Sequence, residues 1–161
     1  MKSTLVKLVT VAALSGMMMA CSSTPKSQLD VSTEFAPMEL TETSRGPMVS
    51  LDDVLFDFDQ STLRPEAQPI IQQAAAYLVN NPGRTAVVEG HTDATGDARF
   101  NQILSVERAR AVKDALMAAG LEANRIKTAG LGETQPVDNN DTRNGRQANR
   151  RVEIIFPQSA I

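Results

Sequence analysis

Hydrophobic positions change their spacing several times along the chain, and each change predicts a new element. The segment DVLFDFD alternates, with Val54, Phe56 and Phe58 on one face, which is the spacing of a β-strand. The next segment, LRPEAQPIIQQAAAYLVNNPG, has apolar residues at helical spacing and a terminal Asn-Pro-Gly that stops the helix. This helix must begin near Pro65 and Pro69, because proline suits a first turn and not a helix interior.

The second half of the chain continues this alternation of elements. RTAVVEG predicts a buried strand, and ARFNQILSVERARAVKDALMAAG predicts a long helix that ends at Gly120. NRIKTAG predicts a short strand, LGETQPVDNNDTRNGRQ a polar loop with a helical turn near its end, and RRVEIIF the last strand. The order β-α-β-α-β-loop-β therefore predicts one α/β domain with two helices on a mostly buried sheet.

The first fifty residues have a different texture. Residues 1–20 combine a basic start with an apolar stretch that is shorter than the roughly 20 residues of a membrane-spanning helix, and small residues surround Cys21. This layout predicts a secretory signal peptide; an anchor helix left in place is the alternative. Residues 21–50 are rich in Ser, Thr, Pro and acids and predict a flexible linker, which leaves 51–161 as the domain.

Charge and cysteine content restrict the partners. The chain has 16 basic and 19 acidic residues, a formal net charge of −3. Loss of residues 1–20 removes Lys2, Lys7 and no acid, which makes the remaining chain more acidic. Nucleic acid is therefore disfavoured as a partner. A single cysteine also excludes a disulfide framework within the chain.

An arginine interrupts the apolar face of the second predicted helix. At 100° per residue, Arg108 and Asn101 point the same way as Leu104 and Val112. A guanidinium on a core-facing stripe is costly unless a partner neutralises it. Arg108 is expected either to pair with an acid of the domain or to line a cleft and bind a ligand carboxylate, which its planar fork suits.

The turn GHTDATG lies between the buried strand and this helix. Asp93 has three roles open to it: capping the turn, pairing with Arg108, or binding a ligand. Together with Arg108, it would complement a zwitterion, the acid holding an ammonium and the arginine a carboxylate. His91, the single histidine, has no cysteine cluster or second histidine beside it, so we expect a structural role and no metal site.

An ordered set of motifs runs through the domain. FDFD, VEGHTDATG, NQILSVERARAV, GLGETQPVDNN and NRRVEI follow one another, and on these the segment from about Val54 to Phe156 resembles the OmpA-like peptidoglycan-binding domain. The resemblance implies a β/α/β/α/β/β domain, an α+β sandwich with a mixed sheet and two main helices packed on it. It also implies non-covalent binding of the peptidoglycan stem peptide at meso-diaminopimelate, without a cofactor and without catalysis.

The resemblance also implies which residues bind. The family's acid and arginine, which hold the ammonium and carboxylate of diaminopimelate, fall on Asp93 and Arg108. Further family contacts fall on five positions: Asp57, Thr92, Asn101, Leu104 and Arg151.

A second resemblance concerns the start of the chain. MMAC is similar to a bacterial lipobox, with Met18 where leucine is preferred, and it implies cleavage before Cys21 and lipidation of that residue. Ser22 in the next position implies sorting to the outer membrane of a Gram-negative cell, with the domain facing the periplasm. Several acyl chains would give stable anchoring.

These observations predict an outer-membrane lipoprotein that tethers the membrane to the cell wall. One alternative is a lipoprotein that wall binding positions for an envelope assembly or a regulatory role with other envelope proteins. The other is a peptidoglycan hydrolase, which would need a carboxylate pair that the sequence does not single out.

Overall fold

The computed structural model describes residues 38–57 and 60–157. The predicted signal peptide and Cys21 lie outside the described residues. The strands are β1 (Thr41–Thr43), β2 (Gly46–Asp52), β3 (Ala86–His91), β4 (Ile126–Gly132) and β5 (Arg151–Ile155). The helices are α1 (Gln68–Asn80), α2 (Ala98–Ala118) and α3 (Arg143–Asn149).

The five strands form one mixed sheet in the order β1-β2-β5-β3-β4. β3 and β4 are parallel, as a connection through α2 requires, whereas β5 is antiparallel to both of its neighbours. Val88 lies opposite Ile154 in β5, and Ile154 lies opposite Val49 in β2. The prediction of an α+β fold with a mixed sheet is confirmed, and the last strand occupies the middle of that sheet.

One face of the sheet packs against α1 and α2. The core there includes fully buried residues from both helices and from three strands: Leu51, Ile71, Leu78, Val88, Val112, Leu116, Val152 and Ile154. α2 lies close to β3 because Gly90 has no side chain; a Cβ there would collide with the Ser105 carbonyl oxygen. This close approach fixes the first half of α2 over the end of β3.

The domain begins earlier than the sequence predicted. Residues 41–43 and 46–50, assigned to the linker, lie in β1 and β2, and β2 pairs with β5 from Met48 to Asp52. Val49 and Leu51 are buried, but this alternation is short and follows Pro47. Pairing with a strand from the far end of the chain, rather than local pattern, makes this segment a strand.

The predicted strand DVLFDFD is also wrong. Its first residues, Asp53–Leu55, form a 3-10 turn, and Phe56 makes only an isolated bridge to Leu63. Phe56 is buried as expected, but Val54 is 57% exposed, and Phe58 lies outside the described residues. The strand ends at Asp52; the Asp53 N–H still donates to the Arg150 carbonyl at 3.1 Å, and the chain then enters the 3-10 turn.

The predicted helices are present with small differences. Pro65 begins a 3-10 turn before α1, and Pro69 lies in the first turn of α1, as the proline positions predicted. The polar loop before β5 ends in a seven-residue helix, α3, rather than a single turn. Across the described ranges, no helix is both long and apolar enough to cross a lipid bilayer.

Candidate ligand-binding site

A cleft of about 520 Å³ opens where β3 ends and α2 begins. Its walls come from the residue after β2, the turn between β3 and α2, the first half of α2, and α3. The lining residues are Asp53, Thr92, Asp93, Thr95, Gly96, Phe100, Asn101, Leu104, Arg108, Arg146 and Arg150. Most of these are polar or charged, so the cleft is suited to a charged ligand rather than an apolar one.

Four charged side chains of the cleft form a continuous series of ion pairs, which we term the cleft network. Arg108 Nη1 lies 2.7 Å from Asp53 Oδ1, and the other oxygen of Asp53 accepts from Arg150 Nε at 2.9 Å. Arg150 Nη1 in turn donates to Asp93 Oδ2 at 2.7 Å. Arg108 and Asp93 are thus the two ends of an alternating network rather than direct partners.

Arg108 is held from three sides although only 3% of its side chain is exposed. Its Nε donates to the Gln60 carbonyl at 3.0 Å, and its guanidinium carbon lies 5.1 Å from the centre of the Phe56 ring. These contacts and the pair with Asp53 offset the cost of burying the charge. The arginine is therefore pre-positioned, and a ligand would meet it with little rearrangement.

Asp93 is a buried carboxylate that stays charged. Burial alone would raise the pKa of Asp93, but hydrogen bonds from Arg150 and from Thr95 outweigh that effect and lower the pKa below its usual value. The Thr95 N–H donates to Asp93 Oδ1 at 2.8 Å, which also closes the turn. Asp93 is therefore both the cap of the turn and an anion facing the cleft.

The neutral residues of the cleft shape it. Asn101 Nδ2 donates to the carbonyls of Asp93 and Thr95, at 3.2 and 3.1 Å, and to Glu133 Oε2 at 2.7 Å, so it braces the turn against α2. The Thr92 N–H donates to the Gly132 carbonyl at 2.9 Å, but its buried hydroxyl has no hydrogen-bond partner among the described residues. An unsatisfied hydroxyl at this position is available to a polar group of a ligand.

The structure brings together five of the seven residues that the sequence assigned to a site: Thr92, Asp93, Asn101, Leu104 and Arg108. Asp57 is not among the described lining residues; its half-exposed carboxylate pairs with Arg64 at 3.2 Å. Arg151 points to the opposite face of the sheet, where it pairs with Glu153. Successive residues of a strand face opposite sides, so Arg150 occupies the cleft instead.

Sequence reasoning therefore missed Asp53 and Arg150, which complete the cleft network. A signal for Arg150 was present, because the alternation of β5 places position 150 on the same side as the buried Val152 and Ile154. No comparable signal marked Asp53, since the segment around it looked like a continuous strand.

A small α+β domain with a pre-formed, charge-lined cleft at one end of a mixed sheet is a binding module by its geometry. Residues 55–150 match the OmpA family, and the chain belongs to that family. Outer membrane protein A of Bordetella avium is 39% identical over 118 residues, 73% of this chain and 61% of that protein. The probable lipoprotein YiaD of Escherichia coli K12 is 39% identical over 105 residues, 65% of this chain and 48% of that protein.

The fold also matches a solved structure, that of the peptidoglycan-associated lipoprotein from Burkholderia pseudomallei. The two superpose with a TM-score of 0.61 and 31% sequence identity over 66% of this chain and 88% of that one. The chain spans less than two thirds of the length of the two curated relatives named above.

Proposed function

We propose that this protein binds peptidoglycan non-covalently through the cleft, and that the bound group is the zwitterionic end of meso-diaminopimelate in the stem peptide. The cleft network supports this proposal: a buried arginine, a partly exposed arginine and two acids alternate, so the site offers both signs of charge to one ligand. Membership of the OmpA family and the similarity to a peptidoglycan-associated lipoprotein point the same way.

A zwitterion can enter this network by exchange. Its carboxylate would take the place of Asp53 on Arg108, and its ammonium would take the place of Arg150 on Asp93. Arg108 and Asp93 would each exchange one partner for another of the same charge, and Asp53 and Arg150 would keep their pair with each other, so each of the four charges would still face an opposite charge. A simple anion or cation would leave one end of the network unmatched, which favours the zwitterion.

The charge state of Asp93 also bears on the alternative of a hydrolase. A general acid for glycoside cleavage must keep its proton near neutral pH, which requires a raised pKa. The pKa of Asp93 is lowered instead, because hydrogen bonds from Arg150 and Thr95 outweigh the effect of burial. This carboxylate is suited to holding a cation and not to donating a proton.

Co-sedimentation with purified sacculi tests the binding proposal. Asp93→Asn and Arg108→Lys each remove or misplace one charge-assisted contact, worth about 1.5–3 kcal/mol, so binding should weaken about 10- to 100-fold. Asp114→Asn is the matched control, since it changes an exposed aspartate of α2 that does not line the cleft and should bind as the wild type does. Sacculi with lysine in place of diaminopimelate lack the second carboxylate and should bind weakly. Equal binding by the Asp93 and Asp114 variants would overturn the site assignment.

We also propose that the protein is an outer-membrane lipoprotein anchored through Cys21, with the domain in the periplasm, so that it tethers the membrane to the wall. The lipobox-like MMAC and the lipoproteins among its relatives support this. Cys21→Ser should remove the protein from the outer-membrane fraction, and mass spectrometry should find acyl chains on Cys21 of the wild type. A variant that stays in the outer-membrane fraction would contradict the anchor without affecting the wall-binding proposal.

A further inference from the structure

A second charged cluster lies on the sheet face away from α1 and α2. Glu89 of β3 lies directly opposite Glu153 of β5, and His91 projects beside them from the same face. One ligand atom from each of these three side chains lies within 4.8 Å of the others. Two carboxylates directly opposite each other on paired strands repel, so this arrangement needs a cation.

His91 is buried without a hydrogen bond. It is 2% exposed, and neither ring nitrogen has a hydrogen-bond partner within residues 38–57 and 60–157. Its Nε2 lies 3.9 Å from Glu153 Oε2, which is too far for a hydrogen bond. Burial and the nearby Arg151 lower the pKa of His91, so the ring is neutral at neutral pH and one nitrogen keeps a free lone pair.

The two carboxylates are neutralised by arginines in different ways. Glu153 uses Oε1 to hold Arg151 at 2.7 Å, which leaves Oε2 facing His91. Glu89 uses both oxygens to hold Arg45, at 2.6 and 2.7 Å. The Arg45 side chain is 54% exposed and comes from the turn between β1 and β2, so it can swing into solvent.

We propose that Glu89, His91 and Glu153 form a binding site for a divalent transition-metal ion of the Zn²⁺ class, for which Arg45 is the competing cation. An imidazole with two carboxylates is a ligand set that such ions accept. Metal–ligand bonds of about 2.0–2.2 Å would bring the ligand atoms to roughly 3.4 Å from one another, so Glu89 must release Arg45 and rotate inward. A cavity of about 460 Å³, lined by these groups, gives the ion a route from solvent.

The sequence alone predicted no metal site here, because it contains one histidine and no cysteine beside it. The carboxylates that join His91 come from its own strand and from the last strand of the domain. Only the register between β3 and β5 places Glu153 next to them. The inference does not depend on peptidoglycan binding.

The chain has one histidine, so nitrogen NMR of a histidine-labelled sample reports on this site alone. Every sample should be the full chain with Cys21→Ser, which removes the one thiol that could bind zinc elsewhere. Addition of Zn²⁺ should shift the signal of one ring nitrogen of His91 and saturate at one ion per chain. Ring signals that do not move at millimolar Zn²⁺ would overturn the proposal.

Variants distinguish this site from adventitious binding. Glu153→Gln and His91→Gln should abolish zinc binding in equilibrium dialysis, whereas Arg45→Ala should tighten it about tenfold by removing the competing cation. Glu122→Gln, a change of the same kind at an exposed position, should bind zinc as the wild type does. If His91→Gln does not fold, the Glu153 and Arg45 variants still decide the matter.

The zinc site should also be independent of the cleft. Asp93→Asn should bind zinc as the wild type does, although its binding to sacculi is weakened. Unchanged zinc affinity in both the Glu153 and Arg45 variants would refute the site.

Discussion

The two faces of the sheet carry charged clusters that come partly from two adjacent residues, Arg150 just before β5 and Arg151 at its start. Arg150 belongs to the cleft network, while Arg151 belongs to the cluster around His91. In the cleft, arginines and acids alternate, and a turn and two helices hold them in place. On the other face, one histidine has no hydrogen bond from the part of the chain that the structure describes, and one carboxylate depends on the half-exposed Arg45. In the first cluster every charge has an opposite partner within the network, whereas in the second the arginines neutralise the carboxylates and the ring of His91 is left without a hydrogen bond among the described residues.

The adjacent arginines give the most sensitive test of this difference. Arg150→Gln should weaken binding to sacculi about 10- to 100-fold, because Asp53 and Asp93 lose the cation they share. Arg151→Gln should leave the binding of folded protein unchanged. Both variants should be compared by co-sedimentation after circular dichroism has established the folded fraction. If the two substitutions affected binding equally, the assignment of the two arginines to separate faces would be wrong.

The close packing of the helix-covered face can be tested at a glycine. Gly90→Ala should destabilise the domain by about 1–3 kcal/mol, because the new Cβ collides with the Ser105 backbone and forces α2 away from β3. Gly83→Ala is the matched control, since no atom lies within 4 Å of a Cβ at that position. Urea unfolding measures both. Equal stability of the two variants would contradict the close contact that positions the cleft.

The buried histidine should make stability depend on pH near neutrality. Burial, Arg151 and Arg45 lower the pKa of His91, with burial the largest effect. Glu153 and Glu89 raise it, but by less, so the pKa of His91 lies below its usual value. As the pH drops, His91 of the unfolded chain therefore takes up a proton before His91 of the folded domain does. The free energy of unfolding should fall below about pH 6.5 and level off once the pH is below the pKa of His91 in the folded domain. His91→Gln should remove this slope in urea unfolding at a series of pH values. An identical slope in the variant would show that another group is responsible.

The cleft should respond to pH in a different and lower range. Hydrogen bonds from Arg150 and Thr95 outweigh burial and lower the pKa of Asp93. The contribution of the Asp93 charge to stability is therefore complete above the pKa of an aspartate in the unfolded chain, about 3.9. That contribution should be lost as the pH falls further, through the lower pKa that Asp93 has in the folded domain. The difference in unfolding free energy between wild type and Asp93→Asn should therefore stay constant from about pH 7 to pH 4 and shrink below that. A difference that shrinks near pH 6 would contradict this charge state.

The spacing of apolar residues predicted the structure correctly where the burial of a side chain depends on a single helix or strand. Helical phase placed Asn101 and Arg108 on the inward face of α2, and both are buried there. It failed at Asp53, where the hydrophobic alternation of DVLFDFD continued past the actual end of the strand. Asp53 instead contacts Arg150, which lies far away in sequence, through its backbone N–H and its carboxylate.

The sequence by itself determined the two long helices, the three strands from β3 to β5, and the presence of a buried arginine that needs an acidic partner. Periodicity suffices for these because it reflects which side of a single element is apolar. Only the tertiary structure decided that Asp53 and Arg150 connect Arg108 to Asp93, that residues 41–52 complete the sheet, and that Glu153 faces Glu89 and His91. These outcomes depend on the register between strands that are distant in sequence, and no local pattern specifies that register.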